Sequence, residues 1–421
     1  MAPPSTVSCC SQLQHLSKEL SMDRRIYLLA LVAFIAGLDE NIVGGILPLL
    51  AHDLKVSVSV VGQLTSIFSL SFALCAALLL SLTARFERRT LLQAALAIFA
   101  TSNLAAALAS NYASLFVLRI VSAASCSLIV VLCTTFASAL VTPDYRGRAI
   151  GVIFMGISAS LVLGIPFGIV LSEHLGWRLP FAAMAMLAAA LIFWLQASLP
   201  QMTARQPLPL RRYWQQLTVP SLALAQLVSI LMIAGHFTLF AYLAPYLGAT
   251  LGLHGGNLSL MYALFGVSAV SGGYLGGWLS DRLGARRTMW LVPAVFTLVL
   301  ASLPLFAGSL WLFLPVMMLW SSLSWSISPT VQSYLISTAP AASEVNIGLN
   351  TSAMHLGVAL GAACGGLVIA SRSLADTPTV GAAISGTALL CALLSLYLSR
   401  APSLASSRRL SQPVEPGDGT F

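Results

Sequence analysis

Twelve apolar runs, separated by short polar segments, restrict what this chain can fold into more than any other feature of its sequence. A helix needs about 20 apolar residues to cross a bilayer, and a buried soluble core does not produce twelve such runs. Of the 421 residues, 58% are apolar and only 8% are charged, whereas soluble domains carry roughly a quarter charged residues. The sequence therefore predicts an all-α membrane protein, with transmembrane helices at residues 26–50, 58–82, 90–109, 112–140, 148–172, 178–198, 219–250, 257–280, 288–308, 311–333, 345–371 and 379–400.

The two halves of the chain match each other with a constant offset of 197 residues. The matched positions include prolines and loop arginines: Pro48 with Pro245, Arg85 with Arg282, Arg89 with Arg286, and Pro143 with Pro340. Two related six-helix units place a substrate site near the bilayer midplane between them. We therefore predict two pseudo-symmetric six-helix bundles at residues 26–198 and 219–400, joined by a cytoplasmic linker at 199–218.

The basic residues are distributed unevenly across the predicted bilayer. The net charge is +8, and 17 of the 21 lysines and arginines fall on the side that carries both chain ends. Lys55, Arg178 and Arg372 lie opposite. This bias follows the positive-inside rule, so the tails at 1–25 and 401–421 are predicted to be cytoplasmic. Nothing in the pattern points to nucleic acid as a partner.

Several function classes lack their sequence signatures. The chain has no G-x-x-x-x-G-K-[ST] loop for ATP, no G-x-S-x-G nucleophile motif and no metal-ligand spacing among its seven cysteines. A membrane sensor would carry an appended soluble domain, which the span pattern leaves no room for. We therefore predict a transporter that works by alternating access, without a cofactor or metal, rather than an enzyme.

The loop after the eighth predicted span reads Gly277-Trp-Leu-Ser-Asp281-Arg282-Leu-Gly-Ala-Arg286-Arg. It resembles the cytoplasmic loop signature of the major facilitator superfamily, G-x-L-x-D-R-x-G-x-R-[RK]. An aspartate at a helix end can accept hydrogen bonds from a neighbouring helix N-terminus and pair with arginine. Gly277, Asp281, Arg282 and Arg286 are thus predicted to form a latch that breaks when the bundles rock.

The first-half copy of this loop departs from the signature. Ala84 stands where Asp281 stands in the second half, so a first-half latch with Arg85 would need Glu87 as its acid.

The fifth span contains Gly164-Ile165-Pro166-Phe167-Gly168. It is similar to the Gly-Pro element of the drug:proton antiporter branch, with Gly-x-Pro in place of Gly-Pro. Glycines let helices approach closely and proline removes one backbone hydrogen bond, which suits a flexing interface. The alternative is simple helix packing at Gly164, Pro166 and Gly168.

Longer strings resemble bacterial purine base and nucleoside efflux pumps over residues 24–400, among them 40–48, 82–88, 151–156, 234–242 and 332–336. The resemblance implies a monomer in the bacterial inner membrane that exchanges protons for purine bases or nucleosides. Export of arabinose-like sugars or of drugs is the alternative, because those exporters share much of the same framework.

Five ionisable side chains fall within predicted spans: Asp39, Glu40, Arg119, His236 and His355. Each costs about 2.5–3.5 kcal/mol at mid-bilayer, so each is a functional candidate. Glu40 shares a polar, small-residue helix face and is predicted to face the cavity, whereas Asp39 is rotated by about 100° towards a helix interface. The resemblance places the first and fourth helices beside the cavity, so we predict a Glu40–Arg119 pair that couples transport to protons, with a permanent structural pair as the alternative. Asp39 is predicted to be a further proton-coupling residue.

A purine needs stacking rings and a few polar partners at its edge. The candidates are Asn41, His236, Phe237, Tyr242 and Trp325. His236 also corresponds to Asp39 under the 197-residue offset, and it is alternatively a histidine that a neighbouring helix satisfies. Aromatic residues within membranes commonly serve packing. His355 is predicted to be a packing residue.

Overall fold

The structure is a computed structural model that describes residues 23–83, 85–142, 145–202 and 210–399. The predicted tails fall almost wholly outside these residues, although Arg24 and Arg25, assigned to the first tail, already belong to a helix.

Twelve helices in the described part of the chain are long and apolar enough to cross a membrane, which confirms the predicted fold class. We number them α1 to α12. They are α1 Arg24–Leu54, α2 Val58–Leu82, α3 Arg88–Ala107, α4 Tyr112–Ala139, α5 Arg146–Ala159 with Ile165–Leu175, α6 Arg178–Ser198, α7 Pro220–Phe240 with Leu243–Leu251, α8 Gly255–Leu283, α9 Ala285–Phe306, α10 Leu310–Thr338, α11 Ser343–Ser371 and α12 Thr377–Leu398. A short helix, Leu210–Leu217, precedes α7 in the predicted linker.

The outer surface of the bundle is apolar. Phe167, Phe193, Leu298, Leu305 and Trp311 are between 68% and 83% exposed. Large apolar side chains in contact with water would be unfavourable, whereas in contact with hydrocarbon they need no partner. This surface is therefore suited to lipid.

Helix packing follows the internal repeat. In the first half α1 packs on α5, α2 on α4, and α3 on α4 and α6. The second half shows the same pairs, with α7 on α11, α8 on α10, and α9 on α10 and α12. The halves meet where α2 packs on α11 and α5 on α8, two contacts that exchange under the repeat. The domain boundaries predicted from the sequence remain predictions.

Two spans are interrupted near their middle. In α5 a π-helical turn, Ser160–Gly164, joins the two α-helical pieces, and in α7 the α-helix stops at Phe240 and restarts at Leu243. Single π-helical turns often occur at functional sites, and broken helices commonly form transporter binding sites.

We call the end of the bundle that carries Arg24, Arg89 and Leu398 the terminal end. The opposite end, which carries Lys55, Gly176 and Gly252, is the distal end. The turn between α1 and α2 is tight at Lys55, which adopts a left-handed backbone conformation with φ of 55°.

Candidate functional site

The two halves are bonded to each other in the distal half of the bundle. Among the described residues, four hydrogen bonds cross between the halves there: Ser59 Oγ to Gly366 O (2.7 Å), Ser259 Oγ to Pro166 O (2.9 Å), Gly255 N to Glu173 Oε1 (2.9 Å) and Tyr262 Oη to Gly44 O (3.3 Å). The distal end is therefore closed in this conformation.

Tyr242 lies inside this closure. It is completely buried, its hydroxyl donates to Ala362 O (2.9 Å), and a side chain added at Gly62 or Gly366 would collide with its ring or hydroxyl. The sequence placed Tyr242 in the substrate pocket, but in this conformation it seals α2 against α11. Its hydroxyl donor is engaged by a backbone carbonyl, and the contact of Tyr242 with substrate stays a prediction.

The seam between α5 and α8 offers a direct test of the closure. A Cβ atom on Gly266 would lie 2.8 Å from the backbone of Leu161 and Val162, whereas one on Gly273 would meet nothing within 4 Å. Overpacking costs about 1–3 kcal/mol, so Gly266→Val should shift the ratio of distal-closed to distal-open molecules by roughly 5- to 150-fold. Spin-label distances across the distal end measure that ratio. Gly273→Val is the matched control, and equal distance distributions in both variants would contradict the proposed closure.

The buried ion pair of the first half joins Asp39 to Arg119, not Glu40 to Arg119 as the sequence analysis predicted. Arg119 Nη1 lies 2.6 Å from Asp39 Oδ1, and both side chains are almost fully buried. Ser122 Oγ donates to Asp39 Oδ2, and the guanidinium lies 4.0 Å from the centre of the Phe68 ring. The predicted pairing was wrong because the Asp39 face of α1, not the Glu40 face, packs on α4, which carries Arg119. Helical rotation directs Asp39 towards a helix interface, and the structure identifies that interface as the one with α4.

Glu40 instead contacts the second half. His355 Nδ1 of α11 lies 3.1 Å from Glu40 Oε1, and the two side chains retain 16% and 17% exposure. The imidazole is stacked on Phe72 of α2, with ring centres 3.7 Å apart. An acid and a base therefore face each other across the bundle interface near the middle of α1. His355 is one of the five ionisable residues within predicted spans, but the sequence favoured a packing role for it. The stacking on Phe72 agrees with packing, whereas the contact with Glu40 depends on how α1 and α11 meet and has no sequence signal.

His236 lies among aromatic side chains of α7, α8 and α10, and we call this group the aromatic cluster. Its members are His236, Phe237, Phe240, Phe265 and Trp320. The imidazole is 2% exposed and lies 5.0 Å, centre to centre, from Phe237, Phe240 and Trp320. His236 Nδ1 and Trp320 Nε1 have no hydrogen-bond partner among the described residues.

The remaining predicted cargo contacts are dispersed. Asn41 donates to Gly37 O one turn earlier in its own helix (3.0 Å). Phe237 and Trp325 are partly buried against the core. The structure thus brings His236 and Phe237 together, and none of the ring contacts of the described residues joins Tyr242 or Trp325 to them.

The predicted flexing element lies on the seam between the halves. Gly164 ends the π-helical turn and Pro166 is the second residue of the next helical piece, and the Pro166 carbonyl accepts the hydrogen bond from Ser259 of α8. A Cβ on Gly164 would lie 3.0 Å from Leu38 of α1, and one on Gly168 would collide with Ile42. The element therefore combines a backbone irregularity with close packing on α1.

Arg286 of the predicted latch and Arg89, its counterpart under the 197-residue offset, occupy equivalent positions within their own halves. Arg89 Nη1 donates to Leu199 O (3.1 Å) and its other terminal nitrogen to Gln196 O. Arg286 Nη2 donates to Leu396 O (2.9 Å). The contacts Arg89–Leu199 and Arg286–Leu396 are equivalent under the 197-residue offset. Each arginine thus binds the carbonyl end of the last helix of its half, where the helix dipole favours a cation.

The rest of the predicted latch is not engaged in this conformation. Asp281 is exposed and has no partner among the described residues, and the Arg282 guanidinium lies over Trp278 at 4.7 Å. A Cβ on Gly277 would meet nothing within 4 Å, and Arg85 is exposed.

Glu87 caps α3 instead of bridging the halves. Its carboxylate accepts hydrogen bonds from the backbone N–H groups of Arg89 (2.9 Å), Thr90 (2.7 Å) and Met202 (2.9 Å). Desolvation works to raise the pKa of Glu87, but the hydrogen bonds from Met202, Thr90 and Arg89 outweigh it and lower the pKa to about 2. Glu87 therefore ties the start of α3 to the segment after α6.

Because the pKa of Glu87 is lowered on folding, its contribution to stability should be full above its ordinary value of 4.5 and lost as the pH falls towards about 2. Glu87→Ala should lower the free energy of unfolding by about 1 kcal/mol at neutral pH. Melting temperatures of purified protein at neutral and acidic pH measure both effects. Glu87→Gln keeps an acceptor without the charge, and an unchanged pH dependence in both variants would contradict this role.

Comparison with known proteins identifies the family that shares this architecture. The sequence pattern of the Major Facilitator Superfamily matches residues 29–361. The chain belongs to this superfamily. It is therefore a multi-pass membrane transporter of small molecules rather than an enzyme.

Three similar proteins illustrate the range of this superfamily. The chain is 32% identical over 370 residues to YbcL of Bacillus subtilis (strain 168), an uncharacterized MFS-type transporter, across 88% of this chain and 95% of YbcL. It is 30% identical over 403 residues to the chloramphenicol efflux pump Rv0191 of Mycobacterium tuberculosis (strain ATCC 25618 / H37Rv), across 94% and 95% of the two chains. The nucleoside transporter NupG has the same fold, with a TM-score of 0.74 at 13% identity over 90% of this chain and 100% of NupG.

Proposed function

We propose that this superfamily member is a proton-coupled exporter of small, uncharged aromatic solutes. The observation that carries the proposal is the contact between Glu40 and His355, an acid and a base that meet across the two halves and keep partial exposure. Intramembrane ionisable residues at such a position commonly serve proton transfer.

The proton acts on the contact between the halves. An ionised Glu40 attracts a protonated His355 and draws α1 towards α11. A proton bound to Glu40 neutralises the carboxylate, weakens this attraction and favours separation of the halves on the distal side. Proton and cargo then stabilise different conformations, which is the coupling that antiport requires.

The orientation follows from the charges. The terminal end carries most of the basic residues and, on this proposal, faces the cytoplasm, so the distal end faces outward across the bacterial inner membrane. The described conformation, closed at the distal end, is then the one that loads cargo from the cell. It acts as a monomer on this proposal.

Two cargo classes remain in competition. Purine bases and nucleosides are supported by the strings that resemble purine efflux pumps. Chloramphenicol-like drugs are supported by the 30% identity to a chloramphenicol efflux pump over nearly the whole chain. Both classes are uncharged and carry an aromatic ring, which suits a second half whose buried cluster is aromatic.

A single efflux experiment tests the proposal. Cells or vesicles are loaded with labelled hypoxanthine, guanosine, chloramphenicol, arabinose or a cationic dye, and efflux is followed with and without an uncoupler. We expect uncoupler-sensitive efflux of chloramphenicol or of the purines, and none of the dye. Efflux of arabinose alone would favour the sugar alternative, and efflux that is insensitive to the uncoupler would contradict proton coupling.

A further inference from the structure

The second helices of the two halves, α2 and α8, begin differently. Under the 197-residue offset Ser57, which precedes α2, corresponds to His254, which precedes α8. Ser57 Oγ accepts a hydrogen bond from Val60 N (3.3 Å), so α2 is capped from within its own half. The His254 side chain makes no such bond, and the first turn of α8 carries no acidic residue. The start of α8 therefore takes its cap from another part of the protein.

The cap of α8 comes from the other half. Glu173 lies near the distal end of α5, and its Oε1 accepts a hydrogen bond from the backbone N–H of Gly255, the first residue of α8 (2.9 Å). A carboxylate is favoured there because a helix N-terminus carries a partial positive charge. The residue that corresponds to Glu173 in the second half is Ala370, whose side chain has no acceptor for α2. The interface is thus capped in one direction only.

Glu173 is also the one partner in the four distal bonds between the halves that takes up a proton as the pH falls. The other three bonds are donated by the hydroxyls of Ser59, Ser259 and Tyr262 to backbone carbonyls. Hydroxyls keep their protons at neutral and acidic pH, whereas a carboxylate gains one. Glu173 lies two residues before the end of α5 and is exposed, so a proton reaches it without passing through the bundle.

The other charged residues and the histidines at the distal end form no described hydrogen bond or ion pair with Glu173. Arg178 is paired with Asp53 within the first half, at 2.8 Å. Asp376 precedes α12, and its side chain caps nothing. The full set at this end is His52, Asp53, Lys55, His174, Arg178, His254, Arg372 and Asp376. The start of α8 is therefore the group on which the charge of Glu173 acts.

We propose that Glu173 is a proton-sensitive gate residue of the distal closure. Ionised Glu173 caps α8 and holds α5 against it. A proton on the carboxylate removes the charge that favours the cap, so the distal-open form, which lacks the cap, binds this proton more tightly than the closed form. Acid at the distal end therefore favours opening there. That the distal end faces outward rests on the proposed function, whereas the gate itself does not.

Spin-label distances across the distal end test the gate in purified protein. They are measured at neutral and acidic pH in Glu40→Gln, which removes the central proton site, and in the same background with Glu173→Gln or Asp376→Asn added. Acid should raise the ratio of distal-open to distal-closed molecules about two- to fivefold in Glu40→Gln and in the Asp376→Asn control. With Glu173→Gln the ratio should be the same at both pH values and already raised at neutral pH.

Two outcomes would overturn the proposal. One is an unchanged distance distribution when Glu40→Gln is acidified. The other is a pH response that persists with Glu173→Gln, which would assign the sensing to another group such as His174 or His254. Because Glu173 is exposed, its replacement should leave the melting temperature close to that of the parent, which checks folding. Failure of the proposed function shows up separately, as efflux that is insensitive to the uncoupler, and does not alter these distances.

Discussion

Replacing Glu40 with glutamine is expected to abolish proton-driven transport while leaving exchange of cargo down its own gradient. The amide keeps the size of the side chain and its contact with His355 but cannot take up or release a proton. The conformational change itself needs no proton when cargo is present on both sides, so exchange should persist. Uptake into inverted vesicles under an imposed pH gradient, compared with counterflow in the same vesicles, measures the two activities.

Glu40→Asp is the matched control for this experiment. It retains a titratable carboxyl and should retain part of the proton-driven activity, at a reduced rate because the shorter side chain lies further from His355. Undiminished pH-driven uptake by Glu40→Gln would show that the coupling proton binds at another residue. Loss of both pH-driven uptake and counterflow would indicate a structural role instead.

Arg119→Leu is expected to destabilise the protein by about 3–5 kcal/mol, because it leaves the Asp39 carboxylate buried without its counter-ion. Asp39 would keep only Ser122 and the weak donor Cys126, whose Sγ lies 3.9 Å away. The melting temperature of the purified protein should fall accordingly, and the yield of folded protein with it.

The double variant Asp39→Leu/Arg119→Met separates stability from function. It removes both charges and fills similar volume, and such replacements of buried pairs are often neutral or stabilising. We expect its melting temperature to recover towards that of the wild type. Restored transport in the double variant would mark the pair as structural, whereas restored stability without transport would support the predicted role of Asp39 and Arg119 in proton coupling.

The two acidic residues of α1 therefore differ in their surroundings although they are neighbours in sequence. Asp39 is sealed between α1 and α4, with a guanidinium as its partner. Glu40 lies at the contact between the halves, with partial exposure and an imidazole partner. On the proposed function, only the second arrangement combines partial exposure with a contact whose strength a proton can change.

Much of the architecture is determined by the sequence alone. Twelve runs of apolar residues specify twelve helices, because a backbone in hydrocarbon must satisfy its own hydrogen bonds. The 197-residue offset likewise anticipated matching loop positions, and Arg89 and Arg286 do make equivalent contacts with Leu199 and Leu396. These features depend on composition and spacing, which are read directly along the chain.

Only the tertiary structure decided which side chains meet. Helical periodicity separates Asp39 from Glu40 by about 100° but does not say which neighbouring helix each one faces. The packing of α1 on α4 and α5 sets that rotation. As a result Asp39 contacts Arg119 and Glu40 contacts His355. Tyr242 fills the space beside Gly62 for the same reason, since contacts between distant segments depend on how whole helices pack and not on any local pattern.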